Sequence, residues 1–371
     1  MAKSKVWHRY LLLLFNLLIL LGLIVSIYVH FSIRNSLKND LISKPSQEKS
    51  FIKPTPTLID RSLIIPKRKH VFQTFNNCGP AILSMAYSYL GIDKSQTELG
   101  QQLRPFQHPQ GFNDDKSVTV SELSKISKDM GLISYHRPNG SPELLEQIIS
   151  LQLPIIIRTW LNKNEDIGHF RLIRGYDSIN HTFIQDDSLN GSDLIYTYQD
   201  LIDIWEPFGF EYLIIAPENF KFDIERVLGE NADERTAWQI ALNREKLAWR
   251  QNPKTYFHAF NASVAAYHLQ DWKTSKYYFD AVEILLPSRM LWYQVEPLYS
   301  LFHLGEFNRL LSISDDILMN GNLAFSELYF LRGQIYENMQ QIQQAKSEYY
   351  KAIKYHKYFV PAQVALDNLD S

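Results

Sequence analysis

The sequence predicts an α+β domain, in which helices precede strands, followed by an all-α region and preceded by one N-terminal transmembrane helix. Three observations predict this order: an uncharged apolar run over residues 10–31, strand-like segments between residues 155 and 216, and a recurrence after residue 269. The chain has 371 residues, of which 45% are hydrophobic, so it is long enough for two domains with a core in each.

Charge and cysteine content limit the classes of function. The formal net charge is -2 and no sustained run of Lys or Arg is present, so we expect no nucleic-acid partner. Cys78 is the single cysteine, and an intramolecular disulfide is therefore impossible. The cysteine count does not distinguish an oxidising from a reducing compartment.

The apolar run over residues 10–31 is long enough, as a helix, to cross a bilayer. It exceeds a usual signal-peptide core, and no clear cleavage site of small residues follows it. We interpret it as an uncleaved signal anchor after a cytoplasmic tail of residues 1–9, with a cleaved signal peptide as the alternative. Basic residues flank the run on both sides and barely decide its orientation. We expect a single-pass protein of the cell membrane whose other domains are extracytoplasmic.

The next two segments differ in pattern. Residues 32–69 mix Ser, Lys, Asn and Pro without a sustained period, which predicts a linker. Residues 70–219 predict a folded domain in which two helices are followed by strands. The predicted helices are Pro80–Leu90 and Val120–Gly131, and the predicted strands are Ile155–Ile157, His169–Tyr176, Thr182–Gln185 and Tyr212–Ala216.

Residues 220–371 have a helical pattern with a weak repeat. Four-residue segments beginning at Leu269, Leu304 and Met339 recur at an interval of 35 residues. This period is typical of helix-turn-helix repeats, and it predicts a tetratricopeptide-like array that holds a protein partner. An irregular helical bundle is the alternative. The positions that match the packing residues of a tetratricopeptide unit best are Gly333, Tyr336, Ala345, Tyr349 and Ala352.

Cys78 lies in the sequence Gln-Thr-Phe-Asn-Asn-Cys-Gly-Pro-Ala, directly before the first predicted helix. Amide groups at a helix N-terminus favour a thiolate, so this position suits a nucleophile. A buried structural thiol is the alternative, but Cys78 precedes the apolar stripe of the helix. Gln73 could donate its side-chain amide to an oxyanion, although an ordinary surface glutamine is the simpler interpretation of that residue alone.

A thiolate mechanism also needs a base and a group that orients it. His169 opens a predicted strand, and the next strand ends at Asp186 and Asp187. Neighbouring strands can place a histidine and an acid side by side, so both aspartates are candidates. We expect the glycine before His169, Gly168, to leave room for a substrate.

Together these motifs resemble family thirty-nine of the cysteine peptidases, the bacteriocin-processing, double-glycine leader peptidases. The shared motifs are Asn-Cys-Gly-Pro-Ala at a helix start, Gly-His on a strand that runs to Gly-Tyr-Asp, and Asp-Ser after the next strand. The resemblance covers residues 70–219. It implies a papain-like α+β fold with N-terminal helices and an antiparallel sheet, and hydrolysis of a peptide or protein substrate.

The resemblance also implies roles for individual residues. Cys78 would be the nucleophile, His169 the general base and then general acid, and Gln73 the oxyanion donor. Gln73 lies one residue closer to the cysteine than is usual in papain-like enzymes. Asp187 fits the acid motif of the family better, whereas Asp186 better fits the distance from the last apolar strand residue. We favour Asp187 as the orienting acid.

Several alternatives stay open. Leader peptidases of this family are commonly fused to an exporter, but this chain has one predicted span and no Gly-x-x-x-x-Gly-Lys-Ser/Thr motif, which favours a stand-alone peptidase. Acyl transfer uses the same three residues, and a non-catalytic peptide-binding module is a further alternative. We expect no cofactor and no metal: His108 with residues 113–115 lacks fixed ligand spacing and is typical of a solvated loop.

Overall fold

The computed structural model describes residues 60–106, 117–319 and 321–370. The predicted tail (1–9), transmembrane segment (10–31) and most of the linker (32–69) lie outside the described residues, as do His108 and residues 113–115. In the described ranges no helix is long and apolar enough to cross a membrane. The described residues belong to one compact unit, Ile59–Ser371.

Among the described residues, seven strands form an antiparallel sheet at the centre of the α+β part of this unit. Its order is β2-β7-β3-β4-β5-β6, and β1 pairs with the end of β4. Every strand pair in the sheet is antiparallel. The strands β4 and β5 are consecutive along the chain and are also neighbours in the sheet. The strands are β1 (Ser62–Ile64), β2 (Ile133–Arg137), β3 (Ile155–Trp160), β4 (Gly168–Asp177), β5 (Thr182–Asp187), β6 (Gly191–Thr197) and β7 (Tyr212–Ala216).

Helices cover both faces of the sheet. Helices α1 (Cys78–Tyr89), α2 (Gln96–Leu103) and α3 (Val120–Asp129) form a core with Ile156 and Leu172 on one face. Helices α4 (Pro142–Ser150) and α5 (Tyr198–Trp205) pack with Ile155 and Ile157 on the other. This two-sided burial explains why β3 begins with a continuous apolar run instead of an alternating pattern. The predicted α+β domain with an antiparallel sheet is confirmed.

The first strand corrects the predicted linker. Residues Ser62–Ile64 fall within the predicted range 32–69, but they form β1 and pair with Gly175–Asp177. The amide of Ile65 then donates to the carbonyl oxygen of Arg174 over 2.9 Å. The folded domain therefore begins before residue 70. A strand of three residues is too short to produce a recognisable alternation in sequence.

The part of the chain after β7 is helical, as predicted. Polar caps begin some of these helices; Asp233, for example, accepts the amide of Thr236 over 2.8 Å. The helices are α6 (Lys221–Leu228), α7 (Glu234–Gln251), α8 (Tyr256–His268), α9 (Trp272–Asp280), α10 (Met290–Tyr293), α11 (Glu296–His303), α12 (Phe307–Met319), α13 (Ser326–Asn338), α14 (Ile342–Tyr355) and α15 (Val360–Asp370).

The 35-residue recurrence coincides with turns between helices. Each recurring segment joins two helices: α8 to α9, α11 to α12, and α13 to α14. The second residue of each segment has a left-handed backbone, with φ of 63° at Gln270, 75° at Gly305 and 60° at Gln340. Within the last pair, a Cβ on Gly333 would collide with the ring of Tyr349. The recurrence therefore marks helix-turn-helix units, and their assignment to the tetratricopeptide class stays a prediction.

The helical region shares a core with the sheet. One continuous apolar cluster contains Ile157 and Tyr212 from the strands together with Phe260 and Tyr293 from the later helices. Polar contacts reinforce it: Asn261 Nδ2 donates to the carbonyl oxygen of Glu206 over 2.9 Å, and Arg289 pairs with Asp166 at 2.7 Å. The sequence predicted a domain boundary between residues 219 and 220, but one hydrophobic core contains residues from both sides of it.

Candidate active site

The cysteine lies at the start of a helix, as the sequence predicts. Helix α1 begins at Cys78, after Asn76 has turned the chain with φ of 54°. Gly79 brings this end of the helix against the sheet, because a Cβ there would lie 3.5 Å from the ring of Phe170. Phe170 is the neighbour of His169 in β4. The close approach at Gly79 therefore brings the thiol to the strand that carries the histidine.

A buried arginine that the sequence analysis did not identify supports the loop before Cys78. Arg104, which is 2% exposed, donates from Nη1 to the carbonyl oxygen of Phe75 over 3.1 Å and to Oδ1 of Asn77 over 3.2 Å. The Asn77 amide in turn donates to Thr74 Oγ1 over 2.7 Å. Arg104 therefore fixes the loop and brings a positive charge near the thiol.

The histidine contacts both of its expected neighbours. His169 is 3% exposed, and its Nε2 lies 2.9 Å from Oδ1 of Asp187. Its ring also interacts electrostatically with the Cys78 thiol. Because Asp187 occupies Nε2, the nitrogen that remains for the sulfur is Nδ1. The amides of Leu189 and Asn190 donate to the same Asp187 oxygen over 2.7 and 3.0 Å, which fixes the carboxylate.

The pleat of β5 separates the two candidate acids. Asp187 is paired with Arg171 in the ladder and shares its face, whereas Asp186 lies opposite Leu172 and points to the other face. There Asp186 accepts from Nε of Arg174 over 2.9 Å. The structure therefore brings Asp187 to His169 and keeps Asp186 away from it.

A second buried arginine, also missed in the sequence, binds the acid. Arg171 is fully buried and donates from Nη1 to Oδ2 of Asp187. Its Nε donates to Thr159 Oγ1 over 3.0 Å, which holds the guanidinium in place. Because an unpaired buried charge is strongly unfavourable, this pair keeps Asp187 ionised beside His169. The sequence does not show that Arg171 lies opposite Asp187, because this depends on how β4 and β5 pair.

The electrostatics favour a charged cysteine and histidine pair. Burial alone would raise the pKa of the Cys78 thiol, but the hydrogen bond and charge of His169 and the charge of Arg104 together lower it below its ordinary value of 9.0. Burial would lower the pKa of His169, but hydrogen bonds to Asp187 and Cys78 raise it above 6.5. Burial would raise the pKa of Asp187, but the hydrogen bond and charge of His169 and the charge of Arg171 lower it below its ordinary value. These directions favour thiolate and imidazolium together.

Gln73 is hydrogen-bonded to Ser188, the residue that follows Asp187. Ser188 Oγ donates to Gln73 Oε1 over 2.8 Å, and the backbone amide of Gln73 donates to the carbonyl oxygen of Ser188 over 2.7 Å. Ser188 directly follows Asp187 in the chain. The side-chain oxygen of Gln73 is thus engaged, and its Nε2 is the end that can donate to a further acceptor.

A cleft with a volume of about 320 Å³ opens at Cys78, and the helical region forms one of its walls. Arg289, Trp292 and Tyr293 line it together with Cys78 and Gly79 of α1. A Cβ on Gly168 would lie 2.9 Å from the Tyr293 ring, so this ring fills the space beside the glycine. Gly168 nevertheless lines the cleft, so the expectation that it leaves room for a substrate stays a prediction. In the described ranges no group of three or more His, Cys, Asp or Glu side chains is arranged to hold a metal.

Comparisons with known proteins give a family match and several structural similarities. Residues 64–213 match the model described as the Peptidase_C39 like family. The peptidase domain of Streptococcus ComA, described as a bi-functional ABC transporter of a quorum-sensing pathway, is 19% identical; the match covers 41% of this chain and 99% of that chain, with a TM-score of 0.33. No curated protein sequence matches.

Two further solved structures are similar over the same share of the chain. A C39-like peptidase from Bacillus anthracis is 16% identical, with coverage of 42% of this chain and 98% of that chain and a TM-score of 0.34. A double-glycine-motif protease of an AMS/PCAT transporter, solved with a leader peptide, is 17% identical, with coverage of 42% and 97% and a TM-score of 0.31. The family match over residues 64–213 confirms the resemblance to family thirty-nine of the cysteine peptidases that the motifs indicate.

Proposed function

We propose that the chain hydrolyses peptide bonds through an acyl-enzyme on Cys78, with His169 as proton carrier and Asp187 as the acid that orients it. The observation that carries this proposal is that the buried His169 ring, whose Nε2 lies 2.9 Å from Oδ1 of Asp187, also interacts electrostatically with the Cys78 thiol. A structural cysteine needs neither a buried imidazole nor a carboxylate behind it. A nucleophile needs both.

The first half of the reaction uses the charged pair. The Cys78 thiolate attacks the carbonyl carbon of the scissile bond, and the carbonyl oxygen becomes an oxyanion. The amide of Cys78, in the first turn of α1, and Nε2 of Gln73 are the donors for that oxyanion. His169 then gives its proton to the leaving amine, the carbon–nitrogen bond breaks, and a thioester remains.

The second half reverses the proton movement. Neutral His169 accepts a proton from water as the water oxygen attacks the thioester carbon, and the carbon–sulfur bond breaks to release a carboxylic acid product. The sulfur leaves as thiolate beside a reprotonated ring. Asp187 stays ionised throughout, since Arg171 and two loop amides hold its charge. Its role is to orient His169 and to stabilise the imidazolium.

We also propose the setting in which this reaction takes place. The uncharged run over residues 10–31 supports a single-pass anchor in the cell membrane, with the peptidase and helical regions on the extracytoplasmic side. The helix-turn-helix units support a role in holding a protein partner. Fractionation of cells that produce the full chain or residues 60–371 tests the anchor: only the full chain should sediment with membranes.

Thiol labelling combined with hydrolysis tests the catalytic proposal. The wild type should react rapidly with a thiol-directed electrophile and cleave members of a peptide library, Cys78→Ala should do neither, and His169→Ala should lose most of both. His303→Ala, which changes an exposed histidine outside the cleft, is the matched control and should behave as wild type. Equal labelling of wild type and His169→Ala without hydrolysis would instead indicate a binding module. Product trapping by added glycine amide in preference to water would indicate acyl transfer.

A further inference from the structure

A second chamber adjoins the Cys78 cleft and lies between the sheet and the helical region. It has a volume of about 320 Å³, and it shares four lining residues with the cleft: Ser117, Arg158, Trp292 and Tyr293. A peptide held over Cys78 therefore lies next to its entrance. Nothing in the proposed mechanism uses this chamber.

Two carboxylates line the chamber with unfilled hydrogen-bonding capacity. Glu211 is only 5% exposed; its Oε1 lies 2.6 Å from Nε2 of His136, while its Oε2 has no hydrogen-bond partner among the described residues. Oε2 of Glu296, at the start of α11, has no such partner in the described part of the chain either. A buried carboxylate oxygen without a donor is unfavourable, so both positions favour a ligand that brings donors.

The remaining charges leave the chamber acidic. Arg158 is the nearest cation, with Nη1 3.8 Å from Oε2 of Glu211, beyond hydrogen-bond distance. Burial holds the pKa of His268 at about 3, so that ring is neutral. Lys125 lies at the rim and pairs with Asp129 at 2.7 Å. Glu122, whose carboxylate caps α3, and Glu327 are the other acids that line it.

Aromatic rings form much of the remaining wall. Tyr267, Trp292, Tyr293 and Tyr299 line the chamber with Phe325. Aromatic faces attract ammonium and guanidinium groups, and the same rings accommodate the aliphatic stem of a long side chain. The combination of buried carboxylates and aromatic walls matches a lysine or arginine side chain in charge and in shape.

We propose that this chamber is a specificity subsite that takes a basic side chain of the peptide bound over Cys78, with Glu211 and Glu296 as its charge partners. The inference rests on the proposed function, because it takes the occupant from the peptide in the cleft. Burial raises the pKa of Glu296 to about 7, and a cation beside it would favour its ionised form. Since Glu296 belongs to the helical region, that region would take part in substrate selection.

Binding to Cys78→Ala protein, which holds a peptide without cleaving it, tests the subsite independently of turnover. A positional-scanning decapeptide library should show one position at which Lys or Arg binds about tenfold more tightly than norleucine. Glu296→Gln should remove most of that preference, measured as the ratio of the affinity for the Lys or Arg peptide to that for the norleucine peptide. Glu230→Gln, at an exposed acid of the helical region, is the matched control and should retain the preference.

The outcomes separate the subsite from the catalytic proposal. A basic preference that Glu296→Gln removes would support the subsite even if the wild type cleaved no peptide, in which case the proposed function alone would fail. Cleavage without a basic preference at any position would overturn the subsite alone. Free n-butylamine serves as a second probe. It would raise the thermal unfolding midpoint of the wild type but not of Glu296→Gln if the chamber bound a free amine. That result, together with a library that shows no basic preference, would mean that the peptide subsite is wrong.

Discussion

The ring of Tyr293 packs on Gly168. A Cβ added to Gly168 would lie 2.9 Å from ring carbon Cδ1 of Tyr293. Gly168 precedes His169 in β4, and Tyr293 ends a short helix of the C-terminal region. The same ring lies 5.6 Å from the Arg158 guanidinium, measured to its centroid. One side chain of the helical region therefore lies beside both the strand that carries His169 and the chamber that Glu211 and Glu296 line.

Gly168→Ala should lower stability and slow the reaction of Cys78 with an electrophile. The new methyl group meets ring atoms in a packed interior, and overpacking of this kind costs about 1–3 kcal/mol. Tyr293→Leu, which removes the obstructing ring, should reduce the cost of Gly168→Ala in the double variant. Urea denaturation and alkylation rates of the four proteins measure the coupling. Additive effects would show that the ring and the glycine are not in contact.

The two neighbouring aspartates should respond differently to the same substitution. Asp187→Asn should reduce kcat/KM by about a hundredfold or more, because the imidazolium loses its stabilising charge and its orientation. Asp186→Asn should destabilise the protein by about 1–3 kcal/mol, since the buried Arg174 loses one of its two carboxylate partners and keeps only Asp193, yet the folded fraction should keep its activity. Activity per folded molecule distinguishes the two effects. Comparable loss in both variants would contradict the assignment of Asp187.

The pattern that predicted the site was local, and the features it missed depend on the strand register or on distant residues. The start of α1 at Cys78 and the strands carrying His169 and Asp187 follow from short-range signals. The family motif favoured Asp187 over Asp186, but the physical reason for that choice is the strand pairing, which includes a register shift near Arg174. No local pattern connects Arg104 with the Cys78 loop or Tyr293 with Gly168, because packing joins segments far apart in the chain.

Strand lengths show the same limit. The sequence predicted only Ile155–Ile157 as a strand, because Arg158 and Thr159 are polar and resemble a strand end. In the structure β3 continues to Trp160, since Thr159 accepts a hydrogen bond from Arg171 and Arg158 is surrounded by aromatic rings. Burial of polar residues with partners is a tertiary property that alternation in the sequence does not reveal.

Cys78 alkylation should depend on pH with a midpoint below 9.0, because the pKa of the thiol is lowered. The two pKa shifts contribute to the free energy of unfolding in different pH ranges. A lowered Cys78 pKa contributes above 9.0 and its effect is lost as pH falls through the folded value; a raised His169 pKa contributes below 6.5 and its effect is lost as pH rises through the folded value. Catalysis should therefore follow a bell-shaped profile, with Cys78 on the acid limb and His169 on the basic limb.

His169→Ala should raise the alkylation midpoint part of the way towards 9.0. The imidazolium is lost, while Arg104 and the Gly79 amide still favour the thiolate. Iodoacetamide rates between pH 5 and 10 measure the shift, and chemical denaturation at each pH confirms that the protein stays folded. An unchanged midpoint would mean that the two side chains do not interact in the free protein.

The helical region should be required for a stable peptidase domain. Residues 60–371 should fold cooperatively and keep fast thiol labelling, whereas residues 60–219 should aggregate or lose labelling. Removal of residues 220–371 exposes the face of the sheet that carries Ile157 and Tyr212, and it removes the Tyr293 wall of the cleft. Gel filtration and labelling of both fragments check this. A soluble, reactive 60–219 fragment would show instead that the helical region is an independent domain.

The three turns spaced by 35 residues should respond to glycine as equivalent positions. Gln270 and Gln340 are exposed and have the left-handed backbone that Gly305 adopts at the corresponding place. A left-handed conformation costs a non-glycine residue about 1–2 kcal/mol, and the greater freedom of glycine in the unfolded chain offsets about 0.5–1 kcal/mol of that. Gln270→Gly and Gln340→Gly should therefore each stabilise the protein by about 0.5–1 kcal/mol, and Gly305→Gln should destabilise it by a similar amount.

The same substitution in a helix interior supplies the control for these turns. Gln239 is an exposed residue within α7, so Gln239→Gly should destabilise the protein, by about 0.5–1 kcal/mol, because glycine there loses conformational freedom without relieving a left-handed backbone. Urea denaturation midpoints of the four variants provide the comparison. Opposite signs for Gln270→Gly and Gln340→Gly would mean that the recurrence in sequence does not reflect one repeated turn, and the prediction of a regular array would then give way to an irregular bundle.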